Sequence, residues 1–380
     1  MTRTLTINLG DRAYQVHVGP GLLERLGDAV VDLRRARHAV VISDTNVAPL
    51  YAPAAQEGLR RMRLGADLIA FPAGEAHKTL ATCARILDML LALTPPPDRD
   101  TILIALGGGV CGDLAGFAAA ILFRGVRFVQ CPTTLLAAVD ASVGGKTGVD
   151  HPAGKNLIGA FHQPSAVLID VRTLSTLSER DLASGLAECV KHGVIRDETL
   201  LTFLETQADA IFARDEATMT DLIARNVAIK AAIVSADERE AGVRAHLNFG
   251  HTIGHAVETL AGYGTLAHGE AVAIGMMAEF RLAIARKLVP QTYADRVERL
   301  LRRLKLPTRF GECPAAVATP TNDATCAGPA NVAAAEVWRL MAIDKKARMG
   351  KVRIVLPTAV ATVNVFDGFS EAEIAAALRP

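Results

Sequence analysis

Short β-branched runs separated by helical patterns constrain this chain most. His38–Ser43, Ala66–Phe71, Thr101–Leu106 and Val126–Cys131 read as strands, and helical spacing fills the intervals between them. A βαβα rhythm of this kind predicts a largely parallel sheet with helices on both faces, with ligands gathering beyond the carboxyl ends of the strands. Ahead of it, residues 1–19 alternate polar and apolar side chains around Gly10-Asp11. That pattern suits a β-hairpin and not a signal peptide.

From about Leu177 the texture changes to segments rich in Ala, Leu and Glu, with helices expected at Glu179–Ile195, Glu198–Ala213, Ala217–Ala236 and Ile253–Leu260. Because single cores stop growing near roughly 250–300 residues, a chain of 380 residues divides into two domains. The expected division is an α/β nucleotide-binding domain over residues 1–176 and a mainly helical domain over 177–380, with a last strand at Val352–Leu356. Residues Gly311 to Val332, rich in Ala, Pro and Thr, read as a loop or loosely packed insertion.

Composition excludes some function classes. With 41 Lys plus Arg against 40 Asp plus Glu, the charge balance points to no nucleic-acid partner. No apolar run reaches the length of a membrane span, which predicts no membrane partner. The six cysteines show no CxxC spacing, and Cys111, Cys131 and Cys189 sit in apolar stretches. This is the pattern of buried free thiols and predicts a reducing, cytoplasmic setting.

Two constellations carry chemistry. Gly107, Gly109 and Gly112 satisfy G-x-G-x-x-G between a strand and a helix, where backbone amides can cradle a pyrophosphate. The acidic residue that a common dinucleotide fold places about 20 residues later is absent; Asp44, Glu75 and Lys78 stand at the ends of other strands instead. Four of the ten histidines fall between 246 and 268. On a helix, His251 and His255 share a face, and His268 follows a Gly-rich loop. Histidines with a carboxylate such as Glu188, leaving open positions for substrate oxygens, have the composition of a catalytic zinc-like site. The HTIGH segment lacks the Glu of the HExxH peptidase motif. The run 140–161 interleaves glycines with charges and amides, and is expected to form neither a core helix nor a core strand.

Taken together, LGGGVCGDLAGF, FRGVRFVQCPTTLLAAVDASVGGKTGVDHPAGKNLIGAFHQP, GLAECVKHG, LNFGHTIGHAVE, HGEAV and DKK resemble the 3-dehydroquinate synthase family, in the family's order from about Val40 to Leu356. The resemblance implies conversion of 3-deoxy-D-arabino-heptulosonate 7-phosphate to 3-dehydroquinate and phosphate in the shikimate pathway. NAD and one divalent metal, zinc or cobalt, are the implied cofactors. It implies Glu188, His251 and His268 as metal ligands, and His255 as acceptor of the C5 hydroxyl proton. Lys146 and Asn156, with His255 and Arg244, would grip the phosphate side, and Lys230 with Lys345 or Lys346 the carboxylate end, with Lys191 and Asn248 completing the shell. Arg124 would reach phosphate across a subunit boundary, which implies a homodimer. Asp44, Asn46, Glu75, Lys78, Gly108 and Gly109 match the family's NAD positions, as do Asp113, Thr133, Thr134, Asp140, Lys146 and Lys155. The competing expectations are another sugar phosphate cyclase, acting on sedoheptulose 7-phosphate or glucose 6-phosphate, and a metal-dependent polyol dehydrogenase.

Overall fold

The computed structural model describes residues 1–29, 36, 38–240, 242–262, 265–312, 330–346 and 352–379. The chain forms two compact units, one of Met1–Leu177 with Arg214–Ser235, the other of Ser178–Ala213 with Ala236–Pro380. The segment Arg214–Ser235, helical on the sequence reading and placed there with the second half, thus clusters with the first unit.

The first unit contains β1 (Arg3–Ile7), β2 (Tyr14–Gly19), α1 (Leu26–Ala29), β3 (His38–Asp44), α2 (Ala48–Arg60), β4 (Gly65–Phe71), α3 (Leu80–Leu91), β5 (Ile102–Gly107), α4 (Gly109–Ile121) and β6 (Arg127–Pro132). These are followed by β7 (Lys146–His151), β8 (Gly154–Phe161) and β9 (Ala166–Asp170). Seven strands form one sheet in the order β1-β2-β9-β6-β5-β3-β4. Only the β1–β2 hairpin pairs antiparallel; the remaining pairs are parallel.

The strands are apolar without alternation because each face has its own core. Ala39 and Val41 of β3 join Ile102 and Ile104 of β5 beneath Ala52, Ala55 and Leu59 of α2. Their neighbours Val40, Ile42, Leu103 and Ala105 join Leu114 and Ala118 of α4 with Ile86 of α3 on the opposite side. A period of two therefore feeds two cores at once, which favours apolar residues at successive positions of β3 and β5.

The run 140–161 departs from expectation. Lys146–His151 and Gly154–Phe161 are the strands of an antiparallel hairpin, with Val149 and Ile158 packed into the α4-side core. The glycines that weaken strand propensity are what permit the pairing. Gly148 lies opposite Gly159, where a β-carbon would come within 2.4 Å of the Ile158 carbonyl in one case and 2.1 Å of the Thr147 carbonyl in the other. Close backbone approach has overridden propensity.

The second unit contains α5 (Glu179–Arg196), α6 (Glu198–Phe212), α8 (His251–Ala261), α9 (His268–Ala285), α10 (Gln291–Arg303), α11 (Ala330–Lys346) and α12 (Glu371–Leu378), plus the hairpin of β10 (Ile354–Ala359) and β11 (Thr362–Phe366). The helix α7 (Glu216–Ala236) contains nearly all of the segment that joins the first unit. Most of the Ala/Pro/Thr-rich stretch lies outside the described residues; its last part, from Ala330, is the start of α11 and not loop.

Helices α8 and α9 meet through glycines. A β-carbon on Gly275 would fall 2.0 Å from the Gly250 carbonyl oxygen, and one on Gly269 would fall 2.0 Å from that of Ser184 in α5. Gly275→Ala therefore has no room without moving a helix. It is expected to destabilise the second unit by about 1–3 kcal/mol, measured by denaturant unfolding of the metal-free protein.

Candidate functional site

The sheet has a topological switch point. From β3 the chain passes to β4 on one side, and from β5 it passes to β6 on the other, so β3 and β5 are neighbours whose connections diverge. Crevices of this kind are where open α/β sheets take ligands. Asp44 ends β3 and Gly107 ends β5. A β-carbon on Gly107 would lie 3.3 Å from Asp44 Oδ2, so the two strand ends adjoin.

Residues around this crevice fit a dinucleotide. Helix α4 starts at Gly109 with Gly108 as its cap, and no side chain fills the cap position. The first amides of a helix so capped are donors for an anion. The Thr133 hydroxyl is buried without a hydrogen-bond partner among the described residues. Asp44 Oδ1 accepts from the amides of Asn46 at 2.9 Å and Val47 at 3.1 Å, which fixes the turn at the strand end. Thr134 Oγ1 accepts from Ala137 and starts the π-helical turn Ala137–Ala141.

Lys78 is held more tightly than a surface cation. It is 5% exposed, its Nζ stands 2.6 Å from Asp113 Oδ2, and it donates to Asn156 Oδ1 at 2.5 Å. Burial works against its charge, but Asp113, with Glu75 and Asp150 near by, raises its pKa above the usual lysine value. Asp150 in turn accepts from the Asn156 amide at 2.8 Å, while Lys155 pairs with Glu75 at 3.3 Å. These contacts tie the β7–β8 hairpin to the segment after β4. Lys230 donates to the Asp140 carbonyl at 2.5 Å and to its carboxylate at 2.6 Å. Lys146 and Arg124 are exposed, Arg124 at a left-handed φ of 67°.

In the second unit a carboxylate and two imidazoles converge. Glu188, on α5, has 0% exposure. Its Oε1 lies 3.4 Å from His251 Nε2 and 3.6 Å from His268 Nε2, and Lys191 pairs with Oε2 one helical turn away. Neither oxygen makes a hydrogen bond of good geometry. Burial alone would raise the carboxyl pKa, but Lys191 and the two imidazoles outweigh it and hold the group well below the carboxylate range. Burial and the Lys191 charge push His251 down to about 3. Burial also opposes a charge on His268, yet the carboxylates of Glu188 and Glu258 beside it push it up to about 9. A buried carboxylate with two imidazole Nε2 atoms turned toward it fits a divalent cation, which would supply positive charge and take both Nε2 atoms once they are deprotonated.

The opposite nitrogens are already occupied. His251 Nδ1 is 3.0 Å from the Phe249 carbonyl, and His268 Nδ1 is 3.4 Å from Glu258 Oε2. Both rings thus turn Nε2 inward, as ligand histidines do. His255, exposed one turn along α8, also brings a ring nitrogen within 4.8 Å of those of His251 and His268. Arg244 is buried and donates to the Glu238 carbonyl, and Asn248 donates to Glu240 at 3.1 Å. The side chains of Lys345 and Lys346 lie outside the described residues.

Sequence reasoning missed the residues that orient this cluster. Glu258 stands three residues after His255 on the same helix, a spacing that could have been read. Glu270 accepts from the Ala267 amide at 2.7 Å and receives both arms of Arg180 at 2.7 Å. It stands three residues after the helix cap, where a capping carboxylate is expected.

Comparison with known proteins settles the family. Models of the 3-dehydroquinate synthase N-terminal and C-terminal domains match residues 68–184 and 185–347. The chain belongs to the 3-dehydroquinate synthase family. A 3-dehydroquinate synthase of Desulforamulus reducens is 43% identical over 375 residues, covering 99% of both chains. Two solved structures share the fold. A 2-epi-5-epi-valiolone synthase from Streptomyces hygroscopicus with NAD+ and Zn2+ bound has a TM-score of 0.83 at 30% identity, covering 96% of this chain and 95% of its own. A 2-deoxy-scyllo-inosose synthase complexed with carbaglucose-6-phosphate, NAD+ and Co2+ has a TM-score of 0.85 at 25% identity, covering 99% of both.

Two outcomes follow from the geometry. Lys78→Met strands Asp113 in a largely buried position and is expected to cost about 3–5 kcal/mol of stability; adding Asp113→Leu should recover part of it, read from unfolding curves of the single and double variants. Glu258→Gln is expected to weaken binding of one divalent ion by about 10–100-fold, measured by chelator competition on the metal-stripped protein.

Proposed function

We propose that this chain converts 3-deoxy-D-arabino-heptulosonate 7-phosphate to 3-dehydroquinate and phosphate, a phosphate-eliminating cyclisation with no net redox change. The observation that carries the reading is the convergence of Glu188, His251 and His268 in a chain of this family. Bound at those three residues, a zinc or cobalt ion supplies Lewis acidity toward the substrate's vicinal hydroxyls. Gly108, Gly109 and the first amides of α4 would hold the pyrophosphate of NAD, which when bound would supply a reversible hydride acceptor.

The chain's own groups have distinct tasks in this proposal. His255 accepts the C5 hydroxyl proton as that carbon becomes a ketone. The ketone acidifies the C6 proton, whose removal expels phosphate from C7, and the substrate's own phosphate oxygen serves as base. Reduction at C5 and ring opening then free C7 to form its bond to C2. In the first unit, Lys146, Asn156 and Lys230 supply donors to the substrate's two anionic groups; in the second, Lys191, Arg244 and Asn248 do so. Either substrate anion would cost several kcal/mol to bury unpaired, and the abundance of cations answers that cost. Asp44, Asn46, Glu75, Lys78, Asp113, Thr133, Thr134, Asp140 and Lys155 are assigned to the nucleotide side. Lys345 or Lys346, at the end of α11, is assigned to the carboxylate.

Identity favours this substrate over those of the solved cyclases, since the dehydroquinate synthase relative stands at 43% and the two cyclases at 30% and 25%. We further infer a cytoplasmic homodimer. The buried thiols Cys83, Cys111, Cys131 and Cys189, which form no disulfide, suit a reducing compartment, and exposed Arg124 on the turn after α4 is available to a second copy. Among the described residues no helix is long and apolar enough to cross a membrane.

With the heptulosonate phosphate, NAD and Co2+, the protein should release phosphate and 3-dehydroquinate in equal amounts while absorbance at the NADH band stays flat. NADH accumulating without phosphate, as in a polyol dehydrogenase, would overturn the assignment.

A further inference from the structure

Both histidines that face Glu188 are the first residues of their helices, His251 of α8 and His268 of α9. A residue in that place is only as well positioned as the helix start, where the leading amides lack intrahelical partners. For α9 the cap amide of Ala267 is satisfied from within the same turn, by Glu270. For α8 the cap is Gly250, at a left-handed φ of 79° and with no side chain of its own to offer.

The missing acceptor comes from a distant helix. Glu279, on α9, has 0% exposure, and its Oε2 accepts from the Gly250 amide at 2.6 Å. The Ile253 amide also favours its charged form, although burial dominates and raises its pKa well above the carboxylate range. Its Oε2 is directed at the start of α8, whose leading amides are donors without intrahelical partners. The fit is close on every side. A β-carbon on Gly250 would strike Met276 Cγ at 2.5 Å and the Val272 carbonyl at 2.9 Å, both on α9.

We propose that Glu279 is a positioning residue for the metal centre: by capping α8 from α9 it fixes the direction in which His251 presents Nε2, and so sets metal affinity without touching the metal. This rests on the assignment of Glu188, His251 and His268 as ligands. Glu279→Met keeps the volume but removes the acceptor, while Glu279→Gln keeps one oxygen that can accept from Gly250.

Metal-stripped protein is titrated with Co2+ and followed by visible absorption and by chelator competition. Glu279→Met is expected to bind Co2+ about 10–100-fold more weakly than the parent with a shifted absorption band. Glu279→Gln is expected to restore most of the affinity and the parent band. Parent-like affinity and spectrum in Glu279→Met overturn the proposal. Failure of the parent itself to bind one Co2+ overturns the ligand assignment instead. Residue-resolved hydrogen exchange on the metal-free parent decides independently of how the variants fold: protected amides at Gly250 and Ile253 support the cap, and exchange as fast as in an open loop overturns it.

Discussion

The structure of the second unit is organised around a carboxylate that has no business being buried alone. Glu188 sits in the middle of α5 with none of its surface exposed, and an isolated carboxylate in such surroundings would protonate. Lys191 and the imidazoles of His251 and His268 keep it charged. Lys191 comes from the same helix, but the imidazoles must be delivered from two others, and this requirement explains several features at once. The α8 and α9 starts must both point toward α5. Gly269 must lie against the Ser184 backbone and Gly275 against that of Gly250, since larger residues would hold the helices apart.

In the first unit the comparable constraint is double coverage of the sheet. Cores on both faces leave the sheet only its strand ends for polar work. The divergence of connections after β3 and β5 places Asp44 beside the glycine turn of α4. Buried Lys78, with partly buried Asp113 and exposed Asn156, then forms a polar knot that secures the β7–β8 hairpin. Two strategies for managing charge thus coexist in one chain, a paired ammonium in the α/β unit and a carboxylate among imidazoles in the helical one.

What could be read from sequence follows from how local each signal is. Strands β3, β4, β5 and β6 of the parallel sheet were legible because they are largely apolar runs with helical patterns between them, and the helix carrying His251 and His255 because their spacing is a helical one; β9, buried along its whole length, was not read as a strand. The β7–β8 hairpin was not, because its glycines argue against strand until the opposite glycine is known. Likewise Lys78 and Asp113 are 35 positions apart, and nothing in either neighbourhood announces the pair. The family motifs named Glu188, His251 and His268, yet the residues that aim the histidines, Glu258, Arg180 and Glu279, came only from the fold. Glu258 and Glu270 had local spacing that could have pointed to them. Glu279, on a different helix from the cap it serves, had none.

Two ligand sets remain distinguishable by geometry, because His255 also approaches His251 and His268. Anomalous diffraction at the cobalt edge from crystals of the Co2+-loaded protein separates them directly. The account predicts one peak in contact with a Glu188 oxygen, His251 Nε2 and His268 Nε2, with His255 outside its ligand distance. A peak among the three histidines, with Glu188 still paired only to Lys191, would contradict it.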